Sequence, residues 1–349
     1  MKRWAVLLLV LLAGCASQIT PAPQRLLRVS FADLPGWADS DFVTARASFQ
    51  RGCTALLTRR TPQTASYGGE PADWRGVCSD TTKDARRFFE SRFTPYQIDG
   101  AALFTGYYEP LIRASRTRHD QYQTPIYGLG DVPVTVDRAS IDAGNINAPV
   151  LMWTDDAVAF FFLQIQGSGR AALDDGSIVR LAYAGQNGWP YTAIGRTLIA
   201  QNQLTRETVS MQTIRAWLMA HPDDAQAVME TNQSYVFFRA APIGDPALGG
   251  QGTLGVRITP MASIAVDRRV HPLGAPFFVA GNGPDPVHGL MVAQDTGGAI
   301  RGAARADIFF GAGEVAERRA GALKADGTLF VLLPNKIALA LGDALVLPP

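Results

Sequence analysis

The chain reads as a mainly β protein built from barrels, with helices confined to its N-terminal part and its middle. Two observations predict this. From Ala101 onward, short apolar runs separated by Gly, Pro, Asp and Asn turns follow one another, and such spacing marks sandwiches or barrels. Helical periodicity is scarce and does not alternate with these runs, which argues against βαβ units. A chain of 349 residues, 47% of them hydrophobic, has material for one large core or two modest ones. The 32 basic and 31 acidic side chains balance, so no basic surface points to nucleic acid.

The N-terminus is a targeting segment. Met1 to Arg3 is a positive stretch, Trp4 to Leu12 an apolar one, and Ala13-Gly14 a small-residue site before Cys15. The apolar stretch is about half of the roughly 20 residues that a spanning helix needs. Residues 1–15 are therefore expected to be a signal segment and not a membrane span. Leu12-Ala-Gly-Cys15 resembles a bacterial lipobox, which implies that Cys15 carries the lipid. Ala16 is not the aspartate of an inner-membrane retention signal, so the expected location is the periplasmic face of the outer membrane. Two cysteines remain, Cys53 and Cys78; in an oxidising compartment they either pair or stay as buried thiols.

Residues 16–39, with Pro21, Pro23 and Pro35, read as a tether. Ser40 is the expected N-cap of a helix over 41–50, and Thr82 that of a helix over 83–93. Strands are expected over 103–110, 124–127 and 150–153, and again along the apolar run 158–165. Asp174-Asp-Gly176 is a hairpin turn between that run and a strand over 178–184. Helices over 192–201 and 211–220 interrupt, and Pro222 opens a third. Strands resume over 235–240, 256–258, 275–279, 290–293, 308–310 and 329–333.

Three aspartates stand at strand ends. Asp267 follows Ile264-Ala-Val, Asp295 follows Leu290 to Gln294, and Asp307 opens Ile308-Phe-Phe. Carboxylates in this number with few histidines nearby suit acid/base work on glycosidic bonds. Each equally suits loop capping, which lowers a pKa where a general acid needs it raised. The four histidines lack paired metal-ligand spacing, and Gly167-Ser168-Gly169 lacks the nucleophile-elbow pattern. Gly297-Gly298 has no nucleotide-binding context. No cofactor or metal is expected. Aromatic and amide side chains cluster near glycines: Tyr107, Tyr108, Gln164, Gln166, Tyr183, Asn187, Trp189, Tyr191 and Tyr235. Sugar rings stack on such faces and pair with such amides, although each residue serves a barrel interior equally well.

Several long motifs carry a resemblance in order: Phe104-Thr-Gly-Tyr-Tyr-Glu-Pro110, Phe162-Leu-Gln-Ile-Gln-Gly-Ser-Gly169, Tyr183-Ala-Gly-Gln-Asn-Gly188, Gln233-Ser-Tyr-Val-Phe-Phe238, and the three-aspartate segment from Thr259 to Gly311. The chain resembles the membrane-bound lytic murein transglycosylase A family over about Phe104 to Leu333. The resemblance implies a double-psi β-barrel over 40–110 and 242–349, with N-terminal helices. It implies a smaller barrel inserted over 111–241, with a glycan groove between the two. It also implies cleavage between N-acetylmuramic acid and N-acetylglucosamine with a 1,6-anhydromuramoyl product. Asp307 matches the family's acid and base, Asp295 its neighbour, and Asp267 a structural position. Thr105, Tyr107, Tyr108, Gln164, Gln166, Ser168, Tyr183, Asn187, Trp189 and Tyr235 are the expected sugar contacts. Peptidoglycan strands are the expected partner, with the outer membrane through the lipid and cell-wall synthesis complexes beyond them. Two alternatives stay open: a hydrolytic muramidase using Asp295 and Asp307 as a pair, and a non-catalytic wall-binding protein.

Overall fold

The computed structural model describes residues 24–59, 67–131, 133–283 and 286–347. The expected signal and the expected lipid site, Cys15, lie outside them. No helix among the described residues is long and apolar enough to cross a membrane.

The chain opens with β1 (Arg25–Arg28), then α1 (Phe42–Thr58), α2 (Pro71–Cys78), α3 (Ala85–Arg92), β2 (Phe93–Ile98) and β3 (Ala102–Glu109). Next come β4 (Leu111–Ser115), β5 (Thr124–Tyr127), α4 (Arg138–Asp142), β6 (Val150–Thr154), α5 (Ala157–Gln166), β7 (Gly169–Leu173) and β8 (Ile178–Gln186). After α6 (Ile194–Ala200), α7 (Met211–Ala220) and α8 (Pro222–Glu230), β9 (Val236–Ala241) closes the middle of the chain. The rest holds β10 (Ser263–Val266), β11 (Pro276–Gly281), β12 (His288–Asp295), β13 (Arg305–Ala312), α9 (Glu314–Ala322), β14 (Lys324–Pro334), α10 (Asn335–Leu341) and β15 (Ala344–Val346).

Six strands close a barrel in the order β11-β12-β10-β13-β3-β14, because β14 also pairs with β11. Closure leaves these six without a free edge. The pairs β10–β12 and β13–β3 are parallel and the others antiparallel. Strands buried on both faces read as continuous apolar runs, and every residue of β10 and β11 is buried. The outer strands β2, β1 and β15 extend the sheet from β14. Arg25–Arg28, inside the expected tether, is thus a strand paired on both sides.

The other six strands form their own sheet, β5-β6-β4-β7-β8-β9, with a separate core around Ile126, Leu163, Tyr235 and Phe237. It curls until Gly128 bridges Phe238, so its two edge strands meet. Beside it, α6 to α8 and one face of α5 pack a third apolar cluster.

Several boundaries differ from the sequence expectation. The run 158–165 is α5 and not a strand. Asp156 caps it by accepting from Ala159 N–H, and Gly167 ends it at φ 80°. The hairpin turn at 174–176 joins β7 to β8 instead. Residues 256–258 lie in a loop with a single bridge between Gln251 and Arg257. The helix caps are Asp41 and Asp84, one and two residues past the expected Ser40 and Thr82; their carboxylates reach the third backbone N–H.

Cys53 and Cys78 form a disulfide that ties α1 to α2 with 5.5 Å between Cα atoms. Replacing both by serine should cost about 3 kcal/mol through the freed denatured chain. A urea midpoint unchanged from the wild type would show that the packing of Phe49 on Trp74 between these helices already suffices.

Candidate active site

Four barrel strands set a row of side chains. Ala265 of β10 pairs with Asp295 of β12 on one side and with Asp307 of β13 on the other. Asp307 in turn pairs with Thr105 of β3. Directly paired residues share a face of a sheet, so both carboxylates stand on the same face with only a methyl group between them. Asp295 and Asp307 are two strand spacings apart at the backbone, about 10 Å.

Their surroundings differ. Asp295 Oδ1 accepts from Thr253 N–H at 3.1 Å, Thr253 Oγ1 at 3.0 Å and Thr296 N–H at 2.9 Å. Its Oδ2 accepts from Tyr107 Oη at 3.2 Å. Burial holds its pKa above the ordinary carboxylate range, and these donors pull it back down. Tyr107 is itself pushed well up by burial and by the two aspartates, so it stays protonated as the donor. Asp307 has one partner, the Thr105 hydroxyl on Oδ1; among the described residues nothing donates to Oδ2. Burial raises its pKa, opposed by Thr105 and by Arg305, and reinforced by the charge of Asp295. Arg305 donates to Thr105 Oγ1 at 2.6 Å, making a chain from guanidinium through hydroxyl to carboxyl.

Gly252 backs this arrangement. A Cβ there would lie 2.5 Å from Gln294 carbonyl oxygen and 3.3 Å from Asp295 Cγ, so the Thr253 loop closes on Asp295 only with glycine at that position.

Asp267 has another environment. It is fully buried and accepts from the Arg269 guanidinium at 2.7 and 3.0 Å, from Arg269 N–H at 3.1 Å and from Gly302 N–H at 2.9 Å. Burial would push its pKa up, but these bonds outweigh it and hold the group well below the usual range. A carboxylate so held fixes the loop before Gly302 and has no proton to give. His271 is also buried, which lowers its pKa to about 4, and it bonds Tyr67 and the Ala303 carbonyl.

The row lies in a groove of about 960 Å³. Its walls come from both sheets: Thr105, Tyr107, Asp267, Asp295 and Asp307 from the barrel, and Gln164, Gln166, Ser168 and Tyr183 from the middle of the chain. Four expected sugar contacts do not line it. Tyr108 is buried behind the strand and its N–H donates to Gln166 Oε1 at 3.1 Å. Asn187 is buried and stitches backbone, donating to the Val136 and Gln233 carbonyls and accepting from Tyr235 N–H. Tyr235 is core, under the Arg138 guanidinium. Trp189 is partly exposed, but its ring nitrogen is held by the Thr135 carbonyl at 2.8 Å. Gln164 reaches the groove while its amide accepts from Arg138 at 2.7 Å. The exposed rings of Tyr183 and Tyr191 face the groove from the second sheet's side. Arg138, Arg239 and Thr253 line it too and carried no local motif; the signal for Thr253 is its place one residue after a glycine that the chain cannot substitute.

Comparison with known proteins agrees with this architecture. Residues 103–239 match the family model of the MltA specific insert domain, and residues 262–333 match that of the 3D domain. The membrane-bound lytic murein transglycosylase A of Escherichia coli K12 is 34% identical over 273 residues, which is 71% of this chain and 72% of that one. A crystal structure of a membrane-bound lytic murein transglycosylase from Agrobacterium tumefaciens superposes with a TM-score of 0.82 at 31% identity. It covers 90% of this chain and 99% of that one. The structure of Escherichia coli MltA with bound chitohexaose gives a TM-score of 0.70 at 28% identity, over 84% of this chain and 90% of that one. The closed six-strand barrel is the double-psi barrel of these neighbours. With a third of its residues identical to a curated member over most of both lengths, and with both family models matched in sequence, the chain belongs to the membrane-bound lytic murein transglycosylase A family.

Proposed function

We propose that this protein is a lytic murein transglycosylase in which Asp307 serves first as acid and then as base. The observation that carries the assignment is the contrast in hydrogen bonding between the two carboxylates. Four donors favour the ionised form of Asp295. Asp307 has one, and among the described residues no donor reaches its other oxygen; burial raises the pKa of both groups, so it is the number of donors that separates them. A general acid needs that second environment.

In this mechanism the Asp307 carboxyl gives its proton to the oxygen linking N-acetylmuramic acid to N-acetylglucosamine. The bond from that oxygen to the muramic C1 breaks, and positive charge spreads over C1 and the ring oxygen. The ionised Asp295 stabilises that charge. The ring's own C6 hydroxyl attacks C1, and the Asp307 carboxylate takes the hydroxyl proton. The result is a 1,6-anhydro end, and no water is consumed. One acid/base group suffices because an internal, well-oriented nucleophile reaches effective molarities of about 10⁵ M or more. Asp267 then has a structural role, supported by its Arg269 pairing. Tyr183 and Tyr191 offer stacking faces for the glycan.

The acid must be protonated, so turnover is expected to fall as pH rises through the raised pKa of Asp307. Arg305→Met removes the positive charge that opposes this rise. The alkaline limb of the kcat/KM profile should therefore move to higher pH. An unmoved limb, or one displaced downward, would assign the limb to another group.

The family relatives named membrane-bound support membrane association. The finer reading is a lipid on Cys15 holding the enzyme to the periplasmic face of the outer membrane after removal of residues 1–14, which leaves Cys15 as the first residue. Mass spectrometry of the membrane fraction tests it: a Cys15→Ala chain should appear in the soluble fraction.

A further inference from the structure

A second pocket of about 640 Å³ opens beside the groove and shares Thr105, Gly106, Ile165, Gln166 and Tyr191 with it. It lies between the turn from α9 to β14 and the helices α5, α6 and α7. Its walls are mostly apolar: Phe162, Ile194, Ile199, Val209, Met211 and Leu323. Among the described residues no acidic side chain lines it, while two cations, Arg196 and Lys324, do. Both are exposed, and neither guanidinium nor ammonium has a hydrogen bond or ion pair among the described residues. Lys324 pairs with Thr105 across β14 and β3, which places the pocket mouth within about 10 Å of the Asp307 backbone.

An apolar pocket with two unmatched positive charges fits a ligand with a short aliphatic body and free carboxylates. Peptidoglycan supplies one at that position. The muramic ring under cleavage carries a lactyl-linked stem peptide, which leaves the ring a few ångströms from the bond being broken. We infer that this pocket takes the stem peptide of the muramic residue bound at Asp307, with Arg196 and Lys324 meeting its carboxylates. The inference rests on the transglycosylase reading of the groove. It makes the pocket a specificity site for peptide-bearing wall as against bare glycan.

The test compares wild type with an Arg196→Glu, Lys324→Glu double variant of the full chain on two substrates. One is intact sacculi, and the other is the same glycan stripped of stem peptides by an amidase. Two exposed charges reversed should lower kcat/KM on the peptide-bearing wall by about tenfold, mainly through KM. Turnover of the stripped glycan should stay at the wild-type level, which also shows that the variant is folded. Equal loss on both substrates, or no loss on either, overturns the pocket assignment while leaving the transglycosylase intact. Should the wild type cleave neither, titration with a muramoyl tripeptide decides the pocket alone. Weaker binding by the double variant supports it, and equal binding overturns it.

Discussion

Asp307→Asn should reduce release of 1,6-anhydromuramoyl ends from purified sacculi by about 10³-fold, the scale of a lost general acid. The amide has nearly the size of the carboxyl and keeps the contact with Thr105, so the loss isolates the proton. Stability gives the control. The folded-state pKa of Asp307 is raised above that of the unfolded chain. The wild type therefore pays nothing for this group below the ordinary carboxylate pKa and loses stability as pH rises toward the folded value. Asparagine removes that loss, so the variant should match the wild type in acid and equal or exceed it at neutral pH. Asp295→Asn should be milder, about 10 to 100-fold, because it removes a stabilising charge and leaves the acid in place. If Asp295→Asn were the more damaging change, the roles would have to be exchanged. Products heavier by one water from the wild type would replace the internal nucleophile with a hydrolytic pair.

That pair of roles was only partly legible in the sequence. The three strand-end aspartates, and the apolar runs that became β10 to β14, could be read because double burial leaves unbroken hydrophobic stretches. The ranking of the aspartates could not, since it depends on partners far along the chain: Thr105 lies 202 and Tyr107 188 residues from the carboxylates they meet. The barrel's closure through β11 and β14 is likewise invisible locally. The segment 158–165 misled for a physical reason. Phe160 and Leu163 enter one core while Phe161 and Phe162 enter another, so a helix buried on two sides loses its amphipathic period. Its ends did carry the signal, in Asp156 as N-cap and Gly167 as C-cap. Asn187 and Tyr235 misled in the opposite way. Both have the chemistry of sugar contacts, and the fold uses both to close its own backbone and core.

Glu109 is the position where the largest loss of stability is expected. It ends β3, is fully buried, and meets two arginines of the second sheet. Arg170 Nε lies 2.8 Å from Oε2, and Arg180 Nη1 contacts Oε1. The same guanidiniums hold the returning chain, donating to the carbonyls of Pro246 and Leu248 at 3.1 and 3.2 Å. One carboxylate thus ties the strand bearing Thr105 and Tyr107 to the sheet bearing Tyr183. Removing a single partner from a buried ionic cluster strands the others, at a cost of about 3 to 5 kcal/mol. Glu109→Ala should therefore lower the unfolding free energy from urea titration by that amount, with a matching fall in the midpoint. Because the cluster stands where the chain passes between the two sheets, KM for glycan should rise more than kcat falls. Replacing all three by methionine should recover part of the stability, because no charge is then left buried alone. The recovery should be incomplete, as the Pro246 carbonyl loses the Arg170 donor and the Leu248 carbonyl keeps only that of Arg257. An unfolding free energy for Glu109→Ala within about 1 kcal/mol of the wild type, the range of an exposed pair, would mean that water replaces the carboxylate there. The groove walls would then be fixed by packing alone.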